Sequence, residues 1–96
     1  MNKKEAKTIL IQELEVLRAK DYKELSTLIG SPLNFEIQSP SGIDYWIEIQ
    51  AFWDTPGDDN GNLRVIASID DGRFLSSFMP LSADFIKSRD GEFIGE

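Results

Sequence analysis

The chain contains no cysteine and no histidine among its 96 residues. It therefore has no thiolate nucleophile, no imidazole for acid–base catalysis, no disulfide bond and no soft ligand for a metal ion. Glycine-rich phosphate-binding motifs and the nucleophile elbow of hydrolases are also absent from the sequence. We predict no catalytic residue, no metal site and no cofactor, and a cysteine-free chain is compatible with a cytoplasmic location.

Positive charge is scarce, since ten lysine and arginine residues stand against seventeen aspartate and glutamate residues, a net charge of −7. Phosphate backbones and anionic lipids repel such a chain, so we predict that it binds neither nucleic acid nor membranes. No apolar run approaches the roughly 20 residues of a membrane span. The acidity is typical of a soluble protein, and it also suits an inhibitor that mimics phosphate towards a basic partner.

Two helices are predicted in the first third of the chain. Residues 3–20 contain no glycine or proline and carry apolar side chains at helical spacing, namely Ala6, Leu10, Leu14 and Leu17. Asp21 is a suitable N-cap for a second, short helix. Gly30 is a suitable end for that helix, and Pro32 prevents its continuation.

Alternation of apolar and polar residues predicts strands in the rest of the chain, over residues 33–38, 43–53, 63–69 and 74–79. Asp71-Gly72 is a strong signal for a two-residue hairpin, and Pro80 is expected to end the fourth strand. Residues 82–87 fit either a helical turn or a short strand. Phe93 and Ile94 are expected to dock back onto the domain.

These elements predict a single α+β domain over residues 1–96. Short turns between the strands favour antiparallel pairing, because parallel strands need longer crossover connections. The expected architecture has two layers, with the N-terminal helices packed on a curved antiparallel meander of about four strands.

Three segments resemble a small bacterial family of uncharacterised proteins, namely residues 48–54, 68–72 and 90–96. The order of the elements is similar to that of cystatin-like and nuclear-transport-factor-like α+β cones. The resemblance covers most of residues 3–96. It implies the two-layer fold but no known reaction, and it transfers no catalytic residue to this chain.

The second predicted strand carries apolar side chains on both of its faces. If Tyr45 and Ile47 face the helices, the indole between them faces outward, on a sheet face that is expected to be mainly polar. Such an apolar cluster with charged neighbours is typical of a protein-binding surface. The predicted partner-binding residues are Trp46, Phe52 and Ile66 as anchors, with Glu48 and Arg64 as rim charges. The alternative is that the C-terminal segment covers this face through Phe85, Phe93 or Ile94.

A pocket between helices and sheet is the second candidate site, and its predicted lining consists of Tyr22, Tyr45, Trp53 and Phe74. Two tyrosines without a carboxylate base make a poor acid–base pair. The acidic loop at residues 58–62 lacks the spacing of a calcium-binding loop. We therefore expect a non-enzymatic protein that contacts a partner protein or a second copy of itself. A small-ligand pocket or weak enzyme, and an acidic inhibitor or immunity-type protein, are the alternatives.

Overall fold

The computed structural model describes residues 2–72 and 80–96, and within them two helices are followed by four strands. These elements are α1 Lys3–Arg18, α2 Tyr22–Ser26, β1 Leu33–Gln38, β2 Asp44–Trp53, β3 Leu63–Asp70 and β4 Leu81–Lys87. The strands form one open antiparallel sheet in the order β1-β2-β3-β4. The predicted α+β class is confirmed, with the helical layer packed on one face of the sheet.

Side-chain caps fix the starts of both helices. The Asn2 Oδ1 atom accepts a hydrogen bond from the backbone N–H of Glu5 at 3.1 Å, so α1 begins at the next residue, Lys3. The Asp21 Oδ1 atom accepts from the N–H of Glu24 at 2.7 Å, as the sequence predicts for the second helix.

The odd-numbered side chains of β2, β3 and β4 face the helices, and most of them form the core. The sheet contributes Tyr45, Ile47, Ile49, Ala51, Leu63, Val65, Ala67, Ile69 and Phe85, and the helices contribute Ala6, Ile9, Leu10, Leu17 and Leu25. Helix α1 lies over β3 and β4, and α2 lies over β2 and β3. The predicted facing of the second and third strands is therefore confirmed.

Strand β4 covers residues that fit either a helical turn or a short strand by sequence. It starts at Leu81, directly after Pro80, and pairs with β3. Gly72 has a φ of 78°, and its N–H donates to the Asp70 Oδ1 atom at 2.8 Å, so a turn begins there. That turn is not a two-residue hairpin, because Ile69 pairs with Leu81. The strand predicted at residues 74–79 lies outside the described residues.

Lys87 explains why β4 was hard to predict. Its side chain points inward and is only 7% exposed. The Nζ atom donates hydrogen bonds to the carbonyl oxygens of Arg18 and Lys20, at 3.2 and 2.6 Å. The ammonium group thus satisfies carbonyls at the C-terminal end of α1, where the helix dipole favours positive charge. Because a charged residue occupies an inward position, the sequence of this strand does not show a regular alternation of apolar and polar residues.

Candidate protein-interaction face

The sheet face opposite the helices, here called the outer face, carries the even-numbered side chains of all four strands. It consists of Asn34, Glu36, Gln38, Asp44, Trp46, Glu48, Gln50, Phe52, Arg64, Ile66, Ser68, Asp70, Ser82, Asp84 and Ile86. Trp46 is 49% exposed and Phe52 is 40% exposed, whereas Tyr45 is fully buried. The predicted outward orientation of the two aromatic anchors is what the structure shows.

The predicted binding residues do not form one continuous cluster. Trp46 and Phe52 are six residues apart on β2, which corresponds to about 20 Å along an extended strand. Phe52 lies directly opposite Arg64 of β3. Ile66 lies two residues further along β3, opposite Gln50. On the far side of Arg64 is Ile86 of β4, a half-buried apolar residue whose facing could not be predicted while residues 82–87 fitted either a helical turn or a strand. The outer face therefore has two apolar regions, one around Phe52 and one at Trp46.

Arg64 is held in place by two carboxylates of its own chain. Its Nε atom donates to the Asp54 Oδ1 atom at 2.9 Å, and its Nη1 atom donates to Asp84 on β4. The hydrogen bond to Asp54 is the main reason that the pKa of Arg64 lies above its usual value. The guanidinium group thus lies between Phe52 and Ile86 as a fixed part of the face and is already paired with Asp54 and Asp84.

Trp46 lies among carboxylates. Its direct cross-strand neighbours are Glu36 on β1 and Asp70 on β3, and Glu48 follows two residues later on the same face of β2. Directly opposite side chains in such a ladder have Cβ atoms about 5 Å apart. The Oε1 atom of Glu48 accepts from the Nε2 atom of Gln50 at 2.6 Å, which orients that carboxylate.

Beside the indole is a depression of about 260 Å³. Among the described residues it is lined by Asn34, Trp46, Ile47, Glu48, Ser68, Asp70 and Pro80. The indole and the proline ring supply apolar walls, and the two carboxylates supply negative charge. A Cβ atom at Gly72 would lie 3.7 Å from the indole ring, so the turn after β3 also borders this region.

The aromatic residues of the C-terminal segment do not cover the outer face. Phe85 is buried on the helix side, and the Phe93 ring stands edge-on to it with centroids 5.6 Å apart. The guanidinium carbon of Arg18 lies 3.9 Å from the centroid of Phe93, which places that ring beneath α1. Ile94 pairs at the free edge of β4, where its N–H donates to the Ile86 oxygen at 2.9 Å. The described part of this segment thus extends the sheet edge.

The structure does not bring together the three predicted pocket residues that it describes. Tyr22 and Trp53 lie near each other, with ring centroids 6.4 Å apart, and the Tyr22 hydroxyl donates to the Gly61 oxygen at 2.7 Å. Tyr45 lies eight residues from Trp53 along β2, about 26 Å away at the other end of the sheet. Phe74 lies outside the described residues.

Tyr45 does meet a carboxylate, which the sequence analysis did not anticipate. Its hydroxyl donates to the Glu5 Oε1 atom at 3.0 Å, and the Ser41 hydroxyl donates to the same oxygen at 2.7 Å. The bond from Ser41 is the main reason that the pKa of Glu5 is lowered, and burial raises the pKa of Tyr45. A general base needs a pKa near the working pH, so a carboxylate with a lowered pKa and a tyrosine with a raised one do not support acid–base catalysis.

Within residues 2–72 and 80–96, no group of three or more carboxylates is arranged to hold a metal ion. No helix of the described chain is long and apolar enough to cross a membrane. Comparison of this chain with models of protein families, with curated proteins and with solved structures found no match. The likeness to cone-shaped folds and to a small bacterial family therefore stays a prediction.

Proposed function

We propose that this protein is non-enzymatic and acts by binding another protein through its outer face. The observation that carries the proposal is the exposure of Trp46 and Phe52, at 49% and 40%, on the sheet face that the helices leave open. A solvated sheet face is normally polar. When a partner covers an exposed aromatic side chain on such a face, apolar surface is removed from water, which lowers the free energy.

The residue types on the outer face support binding more than catalysis. Tryptophan and arginine are enriched among the residues that dominate binding energy in protein interfaces. Arg64 is immobilised by its two carboxylates and lies against Phe52, so little side-chain entropy would be lost when a partner covers this region. The proposal includes a cytoplasmic location, with which a chain lacking cysteine is compatible.

Site-specific photo-crosslinking in the organism's own cells tests this proposal. One variant carries p-benzoylphenylalanine in place of Phe52, and the matched control carries it in place of Val16, a 57% exposed apolar residue on α1. Both are first compared with the wild type by circular dichroism. We expect discrete adducts from position 52 and only background from position 16. Equal yields at both positions, or no adduct at position 52, would contradict the proposal.

A further inference from the structure

Charge is unevenly distributed over the molecule. Among the described residues most cations lie in or beside the helices, namely Lys3, Lys4, Lys7, Arg18, Lys20 and Lys23. The outer face carries five carboxylates, on Glu36, Asp44, Glu48, Asp70 and Asp84. Its single described cation is Arg64, which is already paired with Asp54 and Asp84. The proposed binding face is thus strongly negative and its aromatic residues lie within that negative field.

This distribution argues against a second copy of the chain as the occupant of the outer face. Packing two such faces together would place two sets of five carboxylates against each other. Like charges juxtaposed in an interface repel each other and suppress wrong partners. A positively charged protein surface is complementary to the same face.

The surroundings of Trp46 indicate what such a partner would place there. The indole has a carboxylate on either side, Glu36 and Asp70, and the depression beside it also contains Glu48 and Pro80. A lysine or arginine side chain fits this chemistry, because its aliphatic stem packs on the apolar walls and its cationic head meets the carboxylates and the ring face.

We infer that the partner is a basic protein segment that inserts a lysine or arginine side chain beside Trp46, with an apolar side chain on the region around Phe52. This inference rests on the proposed function and deepens it, since it names the charge class of the partner. It also favours the inhibitor or immunity-type alternative of the sequence analysis over self-association.

Titration of the ¹⁵N-labelled protein tests the inference. The probe is a peptide of alternating lysine and leucine, about seven residues long, and the control peptide has glutamate in place of lysine. The reporters on the outer face are the indole N–H of Trp46 and the side-chain amides of Asn34 and Gln50. The reporter on the helical layer is the side-chain amide of Gln12. We expect the lysine peptide to shift the outer-face signals and its Kd to rise about tenfold or more between low and high salt.

A pair of charge-matched variants sharpens the test. Glu48→Gln/Asp70→Asn removes two negative charges beside Trp46 and keeps the oxygen atoms that accept from Gln50 and Gly72. Glu15→Gln/Glu92→Gln removes two charges from exposed sites away from the outer face. We expect the first pair to weaken binding about fivefold or more and the second pair by less than about twofold.

Several results would overturn the inference. Equal binding of the glutamate peptide, or equal weakening by both double variants, would remove the preference for cations but leave the outer face as a binding surface. Concentration-dependent self-association that shifts the Trp46 indole signal would make a second copy the occupant, and the proposed function would survive. Shifts at Gln12 without shifts on the outer face, or no binding of the lysine peptide, would reject a cationic segment as the occupant. Failure of crosslinking at position 52 would reject the proposed function itself.

Discussion

Neighbouring residues of β2 have opposite roles, and Tyr45 and Trp46 show the contrast most clearly. The Tyr45 ring is fully buried and its hydroxyl is hydrogen-bonded to Glu5, whereas half of Trp46 is exposed. Side chains alternate between the two faces of a strand, so a single step along the chain separates a core residue from a surface residue.

Truncation of the outer-face aromatics is therefore expected to have little effect on stability. We expect Trp46→Ala and Phe52→Ala each to lower the free energy of unfolding by about 1 kcal/mol or less. Ile49→Ala, on the buried side of the same strand, is expected to cost about 2–5 kcal/mol. Urea denaturation measures all three. A loss for Trp46→Ala as large as that for Ile49→Ala would show that the indole belongs to the core.

The carboxylate of Glu5 predicts a pH dependence. Its folded pKa lies below the ordinary value of 4.5, chiefly because of the hydrogen bond from Ser41. The stabilisation is complete above that ordinary value and is lost as the pH falls through the folded pKa. We expect the difference in unfolding free energy between the wild type and Glu5→Gln to be largest near neutral pH and to shrink as the pH falls through the folded pKa of Glu5. A difference that stays constant from neutral to acidic pH would contradict the assignment.

At the level of residues, the sequence predicts well which face of the sheet a side chain lies on. The alternation within β2 and β3 identifies Trp46, Phe52 and Ile66 as outward residues without any knowledge of the sheet. Pairing is different, because it depends on the register between strands that are distant in sequence. The contacts of Arg64 with Asp54 and Asp84, and of Tyr45 with Glu5, arise only when the strands and α1 are placed side by side.

At the scale of elements, β4 shows where a sequence pattern leaves the choice between helix and strand open. Its inward positions hold Leu81, Ala83, Phe85 and Lys87, and the lysine breaks an otherwise apolar series. Proline is tolerated next to the first residue of a strand, and Pro80 directly precedes the first residue of β4. The helices and the first three strands form where the sequence predicts them, because their caps and their alternation of apolar and polar residues agree with the final packing.

The buried ammonium of Lys87 joins β4 to the end of α1. We expect Lys87→Met, which keeps the apolar stem and removes the charge, to lower the free energy of unfolding by about 1–3 kcal/mol. The carbonyl oxygens of Arg18 and Lys20 would lose their donor. Lys23→Met, at an exposed site on α2, is the matched control. It is expected to change the free energy of unfolding by about 0.5 kcal/mol or less. Equal stability of the wild type and Lys87→Met in thermal and urea unfolding would contradict this role.

At the scale of the whole molecule, the two sides of the sheet differ in burial and in charge. The helices and most of the described cations lie on one side with the core, and the other side combines exposed aromatics with unbalanced negative charge. Composition reports only the net charge of −7. The uneven distribution follows from the alternation of each strand together with the register of the sheet, so it becomes visible only in the assembled fold.

This distribution predicts the behaviour of the purified chain. We expect a monomer at about 100 µM in low salt, because repulsion between outer faces opposes self-association at low ionic strength. Sedimentation equilibrium at two concentrations measures the mass. A dimer at low salt that Phe52→Asp dissociates would contradict the prediction, because it would show that the negative faces pair with each other.

The most direct test of the central claim is hydroxyl-radical footprinting of the chain inside its own cells against the purified protein. The account predicts that Trp46 and Phe52 lose reactivity in the cell because a partner covers the outer face. Exposed apolar residues elsewhere, Ile11 and Val16 on α1, should keep theirs. Unchanged reactivity of Trp46 and Phe52, or equal protection of the α1 residues, would contradict the claim that the outer face is the binding surface.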